Sequence, residues 1–190
     1  MADQRLFISV EPPDEIKQAM YRELEPFRMA WSFIKWEIPE KLHVTVKFLG
    51  DVPEMKLGVI QSAAEGVAKR TAPFFVVLGG LGVFPNNRRP RVIWIGIRSG
   101  MKDFGKLHSA IEESFDDIGF PREKRRFSAH ITVGRIRHPR FLDLPQESMC
   151  DHRFHSRKIS LIRSRLTPKG SIYTTVAEYP FYLQGGRSSE

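Results

Sequence analysis

The chain has 190 residues, of which 30 are Lys or Arg and 22 are Asp or Glu; it carries a formal charge of +8 and is 41% hydrophobic. This composition excludes intrinsic disorder and collagen-like repeats, and the length suits one compact domain of one or two lobes. The lone cysteine, Cys150, excludes an intramolecular disulfide framework and a zinc site built from several thiolates, in keeping with a reducing compartment.

Reading along the chain, Leu6 to Val10 is a strand, and Pro13 opens an amphipathic helix with Ile16, Met20, Leu24 and Phe27 on one stripe. A Trp-rich connection follows. Leu42 to Leu49 then alternates, with His43, Thr45 and Lys47 on one face and Val44, Val46 and Phe48 on the other, until Gly50-Asp51 breaks it. Pro53 opens a second helix whose inward stripe is Leu57, Ile60, Ala64 and Val67. Two apolar runs, Phe74 to Val83 and Val92 to Ile97, flank a Pro- and Asn-containing turn and predict an antiparallel hairpin. A third helix carries Phe104, Leu107, Ile111, Phe115 and Ile118 in register, with Gly119 as its C-terminal cap. Strands are expected over His130 to Ile136, Ile159 to Leu166 and Ile172 to Ala177, with a long surface connection over 138–157. A single domain over 1–184 and a frayed tail over 185–190 complete the expectation.

The charge is uneven. Residues 1–70 hold 10 basic and 11 acidic side chains, whereas residues 71–190 hold 20 and 11. Such an excess attracts polyanions, although a merely soluble basic surface explains it as well. The most apolar stretch, Phe74 to Phe84, is interrupted by glycines and far shorter than the ~20 residues of a membrane-spanning helix. The start does not resemble a signal peptide, because Asp3 precedes a short apolar run that ends in Glu11-Pro12-Pro13. No membrane contact and a cytoplasmic location are expected.

One pattern occurs twice. Leu42-His43-Val44-Thr45-Val46 matches Ala129-His130-Ile131-Thr132-Val133 at a displacement of 87 residues. In a strand, residues i and i+2 point the same way, so each imidazole stands beside a hydroxyl while the aliphatic residues anchor the strand. With six His and six Thr in the chain, chance supplies only about 0.2 His-x-Thr triplets. The repeat predicts an α+β fold: a duplicated, bilobal unit with two antiparallel sheets facing a central cleft and helices on the outside. Two imidazoles near neutral pH can divide acid and base roles, one giving a proton to a leaving oxygen and the other taking one from a nucleophile. Thr45 and Thr132 can donate hydrogen bonds to phosphate oxygens as charge accumulates there. The chemistry needs no metal or other cofactor.

His43-Val44-Thr45-Val46 and His130-Ile131-Thr132-Val133 resemble the paired HxTx motifs of the 2H phosphoesterase superfamily. Several further segments are similar to the RNA 2′,3′-cyclic phosphodiesterases historically called 2′-5′ RNA ligases. These are Arg5-Leu6-Phe7-Ile8, Lys41 to Gly50, Gly79 to Pro85, Arg89 to Trp94 and Ser164-Arg165-Leu166. The resemblance runs from Arg5 to about Phe181. It implies hydrolysis of RNA 2′,3′-cyclic phosphate ends to 2′-phosphomonoesters, with His43 as proton donor to the leaving 3′ oxygen and His130 as proton acceptor from water. Thr45, Thr132 and Arg135 would bind substrate. Strand parity puts Arg135 on the opposite face from His130 unless the strand bulges at Gly134. Reversal with an RNA 5′-hydroxyl in place of water would give ATP-independent 2′-5′ ligation. The expected partners are RNA with a cyclic phosphate end, including tRNA fragments, and small cyclic nucleotides, acted on by a monomer. The alternative is a non-catalytic RNA-end or phosphate-binding module.

Other features carry weaker readings. Cys150, His152 and His155 lack a zinc-ligand spacing. His108 borders the third helix's core stripe and reads as packed or surface. Gly79 to Gly82 interrupts a strand and reads as a bulge or turn. The basic runs Arg88-Arg89-Arg91 and Arg122-Lys124-Arg125-Arg126 could meet RNA phosphates, and Trp36, Phe48, Phe84 and Phe127 are candidates to stack a base.

Overall fold

The computed structural model describes residues 3–144, 151–168 and 170–182. In chain order the elements are strand β1 (Gln4–Val10), helices α1 (Asp14–Glu23) and α2 (Glu25–Ala30), strands β2 (Ile34–Trp36) and β3 (Val44–Val52), helix α3 (Leu57–Lys69), strands β4 (Phe74–Phe84) and β5 (Val92–Ser99), helix α4 (Met101–Asp116), and strands β6 (His130–Ile136), β7 (Arg153–Ser156), β8 (Lys158–Thr167) and β9 (Gly170–Pro180). The mixed α and β content and the antiparallel pairing match expectation. The first helix is in fact two, because Pro26 sits in the first turn of α2 and has no N–H to continue the ladder of α1.

The strands form one antiparallel sheet in the order β7-β4-β5-β6-β3-β1-β8-β9, with β2 added on β6, rather than two separate sheets. The path is narrowest at its centre, where β3 and β6 are joined by the single pair Val44↔Ile131. On either side of that junction the order is alike. Strand β3 lies beside β1 and β6 beside β5, and in both cases helical chain connects the neighbouring strands. The wide pairings flank the junction: β1 runs the length of β3, and β5 the length of β6.

Helix α3 packs on α4 and against β8 and β9, while α4 packs on β3. Their inward stripes are the ones the periodicity predicts: Ile60, Ala64 and Val67 from α3, and Phe104, Leu107, Ile111 and Phe115 from α4, all buried in one core with Val44, Ile93, Ile131 and Leu161. Burial of each such Leu, Ile or Phe contributes about 1.5–3 kcal/mol.

Two local departures from the sequence reading, and one facing that it left open, share a cause, the β-bulge, which adds one residue to a strand and reverses its facing thereafter. Strand β3 does not stop at Gly50. It continues to Val52 because Leu6 pairs with Gly50 and Phe7 with Phe48, so that Leu49 is the extra residue and Gly50 takes the turn at φ +73°. A second bulge at Val46, between the pairs Ser9↔Thr45 and Ile8↔Lys47, corrects the facing downstream: Lys47 goes inward, 5% exposed, and Phe48 outward, 69% exposed. In β6 the pairs Trp94↔Thr132 and Ile93↔Gly134 leave Val133 as the extra residue. The predicted irregularity at Gly79-Gly80 is a bulge too, between Leu78↔Ile97 and Leu81↔Ile95.

Within the long connection expected over 138–157, residues 153–156 are a strand, β7, completing the sheet edge beside β4. Cys150 and the 185–190 tail lie outside the described residues. No helix among the described residues is long and apolar enough to cross a membrane.

Candidate active site

The junction pair Val44↔Ile131 brings the two His-x-Thr segments side by side. In antiparallel order His43 lies at the level of Thr132, and Thr45 at the level of His130. Val44 and Ile131 are fully buried and face the core, which turns the four polar residues to the other side. There they line one cleft of about 770 Å³. Arg135 lines the same cleft, because the bulge at Val133 restores it to the face of His130 and Thr132. All five candidate site residues are therefore in one place.

Both imidazoles are held alike. His43 Nδ1–H donates to the Lys41 carbonyl at 2.7 Å, and His130 Nδ1–H donates to the Ser128 carbonyl at 2.7 Å. A carbonyl only accepts, so the proton must be on Nδ1 in each ring, and the neutral rings present a bare Nε2. At His43, that Nε2 is 3.0 Å from Thr45 Oγ1. Aromatic rings fix the planes. Phe7 stacks on His43 with centroids 4.9 Å apart, and Tyr173 meets its edge at 5.5 Å. Phe84 and Trp94 stand edge-on to His130 at 5.1 and 6.2 Å.

This packing depresses both basicities. Burial lowers the pKa of His43 from 6.5 to about 4, against the opposing pull of the Lys41 carbonyl and Glu11, while Lys17 and Arg135 push the same way as burial. His130 is also lowered, first by burial, with Arg125 and Arg135 adding to it and the Ser128 carbonyl opposing. In the free protein both rings are neutral at pH 7.

The remaining walls carry charges of both signs and aromatic rings, with Glu37 lying 3.4 Å from Arg135 Nε and 3.9 Å from Lys41 Nζ. Arg5, Lys41, Arg125 and Arg126 line the cleft, and so do Phe48, Phe84 and Phe127. Trp36, the fourth candidate for base stacking, stacks on Trp31 instead. His108, expected to be packed or at the surface, lines the cleft and stacks on Phe127 with centroids 4.2 Å apart. His152 approaches Glu23 at 2.9 Å and His155 packs on Phe75, and the described residues contain no cluster of three or more His, Cys, Asp or Glu able to hold a metal. The aromatic neighbours Phe7, Trp94 and Tyr173 escape a sequence reading as site residues, because each belongs to another strand and its position follows from pairing alone.

Residues 10–94 match the family model described as LigT like Phosphoesterase. The chain is 34% identical over 176 residues to the RNA 2′,3′-cyclic phosphodiesterase of Methanothermobacter thermautotrophicus, covering 90% of this chain and 95% of that one. It is 35% identical to the protein of the same name from Archaeoglobus fulgidus, covering 89% and 96%. Among solved structures, TT0787 of Thermus thermophilus superposes with a TM-score of 0.80 at 28% identity, covering 93% of this chain and 97% of that one. With that level of identity over nearly its whole length, and the paired motifs gathered into one cleft, the chain belongs to the LigT-like phosphoesterase family.

Proposed function

We propose that the protein hydrolyses RNA 2′,3′-cyclic phosphate ends to 2′-phosphomonoesters by acid–base catalysis between two histidines, without a metal. The observation that carries this reading is the pair of imidazoles with committed Nδ1 atoms, gathered with Thr45 and Thr132 in one cleft, where His43 Nε2 meets the Thr45 hydroxyl. The names of the relatives support the substrate class.

In the proposed reaction a water oxygen attacks phosphorus while His130 Nε2 takes its proton. The bond from phosphorus to O3′ breaks, and the proton on His43 Nε2 passes to O3′. The product has a 2′-phosphate and a free 3′-hydroxyl. Thr45 and Thr132 donate to the non-bridging oxygens, and Arg135 offers charge to the same phosphate. An RNA 5′-hydroxyl in place of water gives the 2′-5′ ligation product from the same site. On this reading the two sides of the sheet act as duplicated lobes closing on the cleft, and the enzyme works as a cytoplasmic monomer on RNA ends, tRNA fragments among them, and on small cyclic nucleotides.

A proton donor that is neutral in the free protein needs a source of charge compensation, and the substrate's phosphate anion supplies it, raising the basicity of both rings on binding. The basic limb of the kcat profile therefore falls at higher pH than that of kcat/KM, since the first reports the complex and the second the free protein. The deciding experiment is incubation in EDTA of an oligonucleotide ending in a 2′,3′-cyclic phosphate, with products followed by phosphorus NMR. Conversion to the 2′-monoester is expected; unchanged substrate, or activity abolished by chelation, overturns the proposal.

A further inference from the structure

Within the wall of the cleft lies a nearly buried ion pair that acid–base catalysis does not use. Lys47 and Glu112 are each 5% exposed, and Lys47 Nζ donates to Glu112 Oε1 at 2.8 Å. Lys47 comes from the strand that carries Thr45, and Glu112 from helix α4. Both partners also hold the segment that joins α4 to β6. Lys47 Nζ donates to the Pro121 carbonyl at 3.0 Å, and Glu112 Oε2 accepts the Glu123 backbone N–H at 2.7 Å. That segment has little regular structure. It carries Arg125, Arg126 and Phe127 into the cleft wall, followed by Ser128, whose carbonyl holds His130 Nδ1. His108, one turn before Glu112, stacks on Phe127 and so fixes the segment again just ahead of Ser128.

We infer that Lys47 and Glu112 form a positioning pair that sets the tautomer and aim of His130 from the strand carrying His43 and Thr45. Removing two charges from water brings little net stability, so the geometric effect of a buried pair can outweigh its energetic one. Here the geometry runs in one direction: from β3, through one carboxylate with both oxygens engaged, to the segment whose Ser128 carbonyl orients the imidazole. Two of the three bonds join residues distant in sequence, Lys47 lying 65 residues from Glu112 and 74 from Pro121, and the third ties Glu112 to Glu123 only 11 residues on. The inference rests on His130 being a working imidazole, so its test includes a readout that does not require turnover.

Two variants are compared with wild type. Glu112→Gln keeps the shape of the side chain but replaces one acceptor oxygen by a donor, so it cannot accept from both Lys47 and Glu123. Lys47→Met/Glu112→Met removes both charges while keeping the volume filled. Nitrogen-15 spectra of the histidine rings report the tautomers, and steady-state kinetics report kcat and KM on a cyclic-phosphate oligonucleotide. In Glu112→Gln, His130 is expected to become a mixture of tautomers while His43 remains Nδ1-protonated, with kcat down on the order of 10- to 100-fold, the loss typical of a catalytic group misplaced by about 1 Å. The double variant should show the same His130 change even where its melting temperature is unchanged. The inference is overturned if His130 keeps its tautomer in Glu112→Gln, or if both histidines change together with loss of circular dichroism. It is also overturned if a folded double variant retains wild-type kcat. If no variant of the set, nor wild type, turns substrate over, the reading of function fails, and the spectra still decide the positioning role.

Discussion

Strands β3 and β6 start from the same motif and diverge just after it. Each continues past its threonine into a bulge, at Val46 in one and at Val133 in the other, and each bulge brings the third residue beyond the threonine to the cleft: Phe48 and Arg135. What differs is the residue between. Lys47 enters the interior and requires the Glu112 carboxylate, whereas Gly134 has no side chain and lets β2 lie close, since a Cβ there would stand 2.8 Å from Ile34 Cγ2. The comparison shows how a repeated unit becomes an asymmetric site. The motif and the bulge keep the two His-Thr pairs in equivalent places, and the intervening position decides what packs beside each one. The rings have diverged too: His43 is stacked and bonded to Thr45, whereas His130 is flanked by edge-on aromatics.

The largest test of that equivalence is removal of the imidazoles. His43→Ala and His130→Ala should each lower kcat by about 10²–10⁴-fold, and the double variant should lose far less than the product, because in the proposed mechanism the two act as one unit. Full multiplicative losses measured by steady-state kinetics would show that they do not. The threonines sharpen the contrast. Thr45→Val and Thr132→Val should each cost about 10²–10³-fold as lost phosphate donors. Only Thr45→Val should also displace the pH limb assigned to His43, whose Nε2 its hydroxyl meets.

Stability should carry the same asymmetry. His43 is lowered from 6.5 to about 4 in the folded chain, so the unfolded chain binds the extra proton between those values and stability falls as pH drops through that window. The loss attributable to this ring approaches about 3 kcal/mol by pH 4. Urea unfolding of wild type and His43→Gln at pH 7 and pH 4.5 should show a shallower acid loss in the variant; parallel losses would refute it. The smallest effect is on the other side. Gly82 lies directly under the Trp94 indole, where any Cβ would overlap the ring. Gly82→Ala should cost about 1–3 kcal/mol by overpacking and shift the His130 limb of the pH profile while leaving that of His43 in place.

The proposed contributors to chemistry are legible in the sequence because a strand's period of two is local: His43 with Thr45, and His130 with Thr132, need no knowledge of tertiary structure. The helical stripes of α3 and α4 are legible for the same reason. Bulges are not, since an extra residue leaves no compositional trace; hence Lys47 and Phe48 exchange the faces that simple alternation gives them, and Gly50 lies within a strand it looks set to end. Arg135 is the instructive case. Its facing depends on a bulge beside Gly134, and the register of β5 on β6 supplies one. Strands β2 and β7 are too short to show a pattern of their own and exist as strands through their partners. The Lys47–Glu112 bond joins residues in different elements, and nothing in either segment by itself announces the other.

The matched carbonyl bonds at the two Nδ1 atoms have a consequence for how the site is restored between turnovers. A ring with Nδ1–H tied to the backbone has a single free nitrogen, so every proton must enter and leave by the face that meets substrate. One proposed cycle leaves the two rings with their charges exchanged, and no rear exit lets them re-equilibrate while product is in place. In the proposed cycle, regeneration therefore follows product departure, and both rings exchange protons through the mouth of the cleft.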